Sequence, residues 1–173
     1  ITVVLGILIP VIAPFFFFFL FSIQGGEGSA LEYGMDYISV IMIGYIFFMM
    51  NYAINGMLYS QGNSKPFRNF LIIATIVNIG LNPLLIFGFW IIPAMGTAGI
   101  ALATVIVQMA GTVYLVWHLK KSPNFDFEMF KKQPFHWGVI KDIFEQSIPS
   151  ALNTATIAIG VFVINYYVMF YGG

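Results

Sequence analysis

Long apolar stretches separated by short polar ones dominate the chain, and they predict helices that cross a membrane. Each stretch lacks Lys, Arg, Asp and Glu and approaches or exceeds the ~20 residues that span about 30 Å of hydrocarbon. The stretches are residues 1–23, 37–60, 69–92, 95–118 and 146–171. One such stretch alone could be a buried core helix. Five in succession predict an all-α, polytopic membrane protein with five transmembrane helices.

Composition supports a membrane protein and excludes several other classes. The chain is 60% hydrophobic and 8% charged, whereas soluble domains contain about 25% charged residues. The absence of cysteine excludes disulfides and thiolate metal sites. The sequence contains no H-E-x-x-H, G-x-S-x-G or phosphate-binding G-x-x-x-x-G-K-[ST] motif, so we do not expect an enzyme. We also expect no nucleic-acid partner; the lipid bilayer is the expected environment.

The distribution of charge predicts the orientation of the helices. All basic residues fall in two loops on the same side of a five-span path, and these are Lys65, Arg68, Lys120, Lys121, Lys131, Lys132 and Lys141. The loop between the first two spans carries acids only, namely Glu27, Glu32 and Asp36. The positive-inside rule therefore predicts that loops 61–68 and 119–145 are cytoplasmic and that loops 24–36 and 93–94 are external.

The second basic loop ends in an amphipathic segment. Apolar residues recur there at helical spacing, with charged residues on the opposite side; the apolar ones are Val139, Ile140, Ile143 and Phe144, and the charged ones Lys141, Asp142 and Glu145. We expect a helix that lies on the cytoplasmic membrane surface. A regulatory or partner-binding loop is the alternative.

Polar side chains inside the spans predict a polar pathway through the membrane. Asn78 and Asn82 lie four residues apart and therefore share one helix face. Pro83 donates no backbone hydrogen bond, which frees the carbonyl of Ile79. Because broken helices often supply oxygens to cations in transporters, these groups form a candidate cation site. The alternative is that both asparagines only bridge neighbouring helices.

Other polar and small residues in the spans predict contacts between helices. In the fourth span, one polar stripe is expected from Thr97, Thr104, Gln108 and Gly111, and one close-contact stripe from Gly96, Gly99 and Ala103. Elsewhere, bridging hydrogen bonds are the favoured interpretation for Asn51, Asn55 and Asn165.

Several motifs occur in an order that resembles a known family. They are QGNSKP at 61–66, NIGLNPLLIFG at 78–88, GTAGIALAT at 96–104 and, after the basic loop, IPSAL at 148–152. This order is similar to that of the MATE (multidrug and toxic compound extrusion) transporters, whose twelve helices form two lobes in an inverted V. The resemblance implies four helices of the N-terminal lobe in 1–118, a cytoplasmic connector in 119–145 and the first helix of the C-terminal lobe in 146–173. We therefore expect a fragment covering family helices three to seven, which also suits a sequence that begins with Ile1 and ends in two glycines.

The resemblance also implies a function. MATE transporters export amphipathic or cationic small molecules in exchange for Na⁺ or H⁺, so the expected protein is a multidrug efflux antiporter of the cell (inner) membrane. It would need no cofactor beyond the coupling ion and would act as a monomer. The alternatives are a flippase for lipid-linked oligosaccharides from the same superfamily and a non-transporting membrane subunit.

The coupling-ion site that the resemblance implies lies in the N-terminal lobe. Asn78 and Thr104 match the family's Asn and Thr, whereas Asn82 occupies the position of an Asp. The family's other Asp lies on a first helix outside this sequence. Asn82 therefore removes a negative charge from a site that must attract a cation. A second family site, based on a Glu of the seventh helix, is not expected because residues 150–160 contain no acid.

Overall fold

The computed structural model describes residues 2–23, 29–90, 93–122 and 137–172. These residues form five helices: α1 (Thr2–Ile23), α2 (Ser29–Ser60), α3 (Lys65–Phe87), α4 (Gly96–Lys120) and α5 (Trp137–Gly172). They fall into two units, one containing α1 to α4 and the other containing α5. The predicted all-α fold is confirmed.

Four of these helices are long and apolar enough to cross a bilayer. In the described residues the candidate spans are Leu31–Ser60, Lys65–Phe87, Gly96–Lys120 and Ile140–Val168. Within α1 the apolar segment Gly6–Leu20 is shorter, so the first of the five predicted spans stays a prediction. Large apolar side chains cover the outside of the helices; Phe15 is 80% exposed and Ile43 is 81% exposed. Surfaces of this extent are suited to hydrocarbon rather than water. The chain is a multi-pass membrane protein.

Both α2 and α3 begin before the uncharged stretches from which they were predicted, whereas α3 ends at Phe87 instead of residue 92. The second helix begins at Ser29 instead of residue 37, with Glu32 in its first turn, where a carboxylate stabilises the helix dipole. The third begins at Lys65 instead of residue 69 and has Pro66 in its first turn, a position that proline favours. The absence of charge marks the part of a helix inside hydrocarbon, whereas the helix itself continues into the interface.

The predicted amphipathic segment is helical, but it is not a separate helix. Residues 137–145 are the first turns of α5, which continues through Pro149 to Gly172. Lys141 and Glu145 form an exposed ion pair along it, with 3.6 Å between Nζ and Oε1. The remainder of the predicted connector, residues 123–136, lies outside the described residues. The position of the amphipathic segment on a membrane surface stays a prediction.

The α4 helix occupies the centre of the first unit, packed between α2 and α3, while α1 packs on α2. The core shared by α2, α3 and α4 comprises Ile54, Leu58, Phe70, Val107, Leu115 and Leu119. Two glycines of α4 allow α3 to approach closely: a Cβ on Gly99 would lie 2.5 Å from the carbonyl oxygen of Leu85, and Gly111 packs against the ring of Phe70. The expected close contact through Gly99 is confirmed.

We expect Gly99→Ala to destabilise the full-length protein, because the added methyl group would meet backbone that cannot move independently of α3. Overpacking of this kind costs roughly 1–3 kcal/mol, so the thermal unfolding midpoint in detergent should fall by several degrees. The matched control is Gly56→Ala in α2, where a Cβ would have no neighbour within 4 Å. Equal midpoints for Gly99→Ala and the wild type would show that the α3–α4 contact is looser than described.

Candidate functional site

A buried polar network joins α2 to α4. Asn51 is 2% exposed, and its Nδ2 donates to Gln108 Oε1 at 2.6 Å and to the Gln108 carbonyl oxygen at 3.0 Å. The Thr112 hydroxyl donates to Asn51 Oδ1 at 2.8 Å. Both ends of the Asn51 carboxamide are thus satisfied inside the bundle. The predicted bridging role of Asn51 is confirmed, and the network holds α2 and α4 in one register.

We expect Asn51→Ala to lower the stability of the full-length protein, because Gln108 Oε1 and Thr112 then lose a buried partner. A buried polar group left unsatisfied costs about 1–3 kcal/mol. Asn55→Ala, one turn further along α2 at a more exposed position, is the matched control. Thermal unfolding should separate the two variants; a midpoint for Asn51→Ala equal to that of Asn55→Ala would contradict a structural role for the network.

Asn78 and Asn82 differ from Asn51 in the state of their side-chain oxygens. The Oδ1 atoms of both residues are buried, and neither accepts a hydrogen bond from the described residues. Native structures rarely leave buried oxygens unpaired, since each costs about 1–3 kcal/mol. Two such oxygen atoms one helical turn apart are suited to bind a ligand that is coordinated by oxygen, such as a cation.

The contacts between α3 and α4 place Thr104 at the depth of Asn78. These antiparallel helices meet where Leu85 contacts Gly99 and where Phe70 contacts Gly111. Asn78 lies about midway between the two contacts on α3, and Thr104 lies about midway between them on α4. By the helical repeat, Thr104 lies on α4 between the side that faces α2 and the side that faces α3. Both asparagines lie on the same side of the α3–α4 pair as Thr104.

The chemistry of these residues suits a hard cation but provides no charge. The Thr104 hydroxyl donates to the Ile100 carbonyl oxygen at 3.0 Å, which leaves its lone pairs available. This hydroxyl oxygen and the two carboxamide oxygens are neutral donors of the type that hard cations prefer. Among the described residues no three acids, histidines or cysteines cluster as a metal site.

The predicted polar stripe of α4 lies between two neighbouring helices. Thr97 and Gln108 bond to α2, through Tyr33 and Asn51, whereas Gly111 contacts α3. The expected close contact at Gly96 was wrong: a Cβ there would have no neighbour within 4 Å, and Gly96 instead begins α4 with φ +54, a value that favours glycine.

Pro83 does not break its helix, since α3 continues through it to Phe87. The missing proline N–H still leaves the Ile79 carbonyl without its usual helical donor. A further residue, Thr112, was not predicted, although its position four residues after Gln108 was a usable signal. Asn165 is exposed on α5, and its bridging role stays a prediction.

Comparison with known proteins identifies relatives over nearly the whole chain. A family model described as lipid II flippase MurJ matches residues 1–171. The probable multidrug resistance protein YoeA of Bacillus subtilis (strain 168) is 26% identical over 175 residues, covering 99% of this chain and 38% of that protein. The multidrug export protein MepA of Staphylococcus haemolyticus (strain JCSC1435) is 25% identical over 174 residues, covering 99% and 37%.

A solved structure has a similar fold. An inward-facing multidrug resistance MATE family transporter of the MOP superfamily superposes with a TM-score of 0.86 at 24% identity, over 99% of this chain and 38% of that one. The chain thus spans less than two fifths of the length of these relatives. It is similar in sequence to multidrug resistance and export proteins and in fold to a MATE family transporter, and it belongs to the family described by the lipid II flippase MurJ model.

Proposed function

We propose that the full-length protein is a secondary active efflux transporter that exports amphipathic or cationic compounds in exchange for Na⁺ or H⁺. The observation that carries the proposal is the pair of buried oxygens on Asn78 and Asn82, which accept no hydrogen bond from the described part of the chain. The names of two relatives support the substrate class: YoeA is a probable multidrug resistance protein and MepA is a multidrug export protein. A membrane-embedded oxygen site gives such a protein a means of coupling export to a cation gradient.

The proposed coupling site comprises Asn78, Asn82 and Thr104. Two carboxamide oxygens and one hydroxyl oxygen would coordinate the ion in place of water. Because all three are neutral, they supply dipoles without net charge, and a carboxylate elsewhere in the full-length protein must compensate the cation. No other cofactor is proposed, and the transporter would act as a monomer.

A flippase for lipid-linked oligosaccharides is the second candidate, because the matching family model carries the description of a lipid II flippase. Such a substrate has a large anionic head group, and intramembrane Arg or Lys would be expected to bind it. The sequence has no Lys or Arg between Asn69 and Leu119. The uncharged oxygens favour a small cation over a diphosphate.

Cellular efflux tests the proposed function. Cells that express the full-length protein should retain less of a fluorescent lipophilic cation than cells with an empty vector, and the difference should collapse when the driving gradient is removed. External Na⁺ and pH are varied separately to identify the coupling ion. Retention equal to the empty-vector cells under every gradient would refute drug export.

We further propose that the basic loops face the cytoplasm of the cell (inner) membrane. Residues 61–68 and 119–145 would then be internal, with residues 24–36 and 93–94 outside. This chain contains no cysteine, so single cysteines can be introduced without background in this segment. A membrane-impermeant maleimide should label Ser29→Cys in intact cells and Lys131→Cys only after permeabilisation. Labelling of both positions from one side would contradict the topology.

A further inference from the structure

An apolar groove runs between α3 and α4 on the flank opposite to Asn78 and Asn82. Its walls are formed by Ile73, Ala74 and Val77 from α3 and by Val107, Ala110 and Tyr114 from α4, with Phe70 packed against Gly111 at its base. The groove has a volume of about 180 Å³. It is open along one side, because Ile73 and Val77 are about half exposed.

The size and chemistry of the groove restrict what can occupy it. Pockets for drug-sized ligands have volumes of about 300–1,000 Å³ and include some polar groups. This groove is smaller, and its lining is almost entirely hydrocarbon. Because the helices lie in a bilayer, a narrow aliphatic chain is the occupant that fits. The groove is therefore not suited to the amphipathic or cationic compounds of the proposed transport.

One end of the groove carries an amphipathic and positively charged group of side chains. Trp117 and Lys121 follow Tyr114 along the same face of α4, and Lys121 Nζ lies 3.7 Å from the centroid of the Trp117 ring. The Ser122 hydroxyl donates to Gln61 Oε1 and so attaches the end of α4 to the α2–α3 turn.

We propose that this groove binds one acyl chain of an anionic phospholipid, with the lipid phosphate at Lys121. Trp117 occupies the headgroup level, where indole rings are favoured, and its ring holds the ammonium group of Lys121 above the end of the groove. Lys121 then pairs with the phosphate while the acyl chain extends along Tyr114 and Ala110 toward Val77. This inference does not depend on the transported substrate.

Photo-crosslinking in nanodiscs tests the proposal on the full-length protein. The probe is phosphatidylglycerol with a diazirine in one acyl chain, present at a low fraction in a phosphatidylcholine bilayer, and peptide mass spectrometry locates the adduct. We expect adducts on groove residues of α3 and α4, competed by unlabelled phosphatidylglycerol more strongly than by added phosphatidylcholine. Adducts confined to other surfaces would overturn the proposal and would indicate that another helix of the full-length protein covers the groove.

Two variants make the test specific. Lys121→Gln should reduce the preference for phosphatidylglycerol about fivefold, the effect of one basic side chain at a membrane surface. Lys120→Gln, its neighbour on a different face of α4, should retain the preference and is the matched control. Ala110→Trp should abolish groove adducts by filling the groove. Equal preference in Lys121→Gln and Lys120→Gln would contradict a phosphate contact at Lys121, even if Ala110→Trp fails to fold.

Discussion

Asn78→Ala should reduce cation-driven export by the full-length protein at least tenfold while leaving the protein inserted and folded. The variant removes one of the two buried oxygens that accept no hydrogen bond from the described residues. If Asn78 is a ligand as proposed, its replacement by alanine would leave the coupling ion incompletely coordinated in a medium where desolvation is costly. Dye efflux driven by Na⁺ and by a proton gradient, measured at equal surface expression, gives the effect.

The thermal unfolding midpoint distinguishes a role of Asn78 in cation binding from a role in helix packing. If Asn78 bridged helices as Asn51 does, its removal would lower the unfolding midpoint. Because its oxygen has no partner among the described residues, we expect Asn78→Ala to leave the midpoint unchanged or to raise it. Thr75→Ala is the matched control, since the Thr75 hydroxyl already donates to the Leu71 carbonyl oxygen in the same helix at 2.9 Å. Normal export by Asn78→Ala under both gradients would assign Asn78 to packing alone.

Asn82→Asp should tighten binding of the coupling cation and slow its release. At ~4 Å and an effective dielectric near 20, one carboxylate attracts a monovalent cation by about 4 kcal/mol, part of which desolvation offsets. We therefore expect the cation concentration that gives half-maximal efflux to fall by about tenfold, equivalent to ~1.4 kcal/mol. The maximal rate should fall as well, because the ion dissociates more slowly.

Two further variants separate the effect of the added charge on cation binding from the effect of its position in the structure. Asn82→Leu keeps the volume of the side chain without its oxygen and should raise the half-maximal concentration. Asn55→Asp adds the same charge on α2 and should leave that concentration unchanged. A half-maximal concentration for Asn82→Asp that equals or exceeds the wild-type value would place Asn82 outside the coupling site.

The sequence predicted the fold well because hydrocarbon imposes strict limits on it. A run of uncharged residues long enough to cross a bilayer has few alternatives to a helix. The ends of the helices were predicted less accurately, because Glu32 and Lys65 lie in the first turns of their helices, beyond the hydrocarbon boundary. Charge marks where the bilayer ends, and helices need not end there.

The candidate site was only partly predictable. The four-residue spacing of Asn78 and Asn82 was enough to place them on one face, and both oxygens are buried. The sequence could not show that the Asn51 side chain is hydrogen-bonded to Gln108 and Thr112, whereas the oxygens of Asn78 and Asn82 accept no hydrogen bond from the described residues. That distinction depends on which helix faces which, and α4 has neighbours on two sides. Hydrophobic periodicity reports burial, whereas the identity of the buried partner requires the packed structure.

Transport by the purified full-length protein in proteoliposomes tests directly whether a cation gradient drives export. Vesicles receive either a Na⁺ gradient or a proton gradient, with a fluorescent lipophilic cation as substrate and, in parallel, a fluorescent lipid-linked oligosaccharide. We expect one of the two gradients to drive movement of the cation against its concentration gradient, with the oligosaccharide remaining in its original leaflet. Flipping of the oligosaccharide without movement of the cation under either gradient would contradict the account and assign the protein as a flippase.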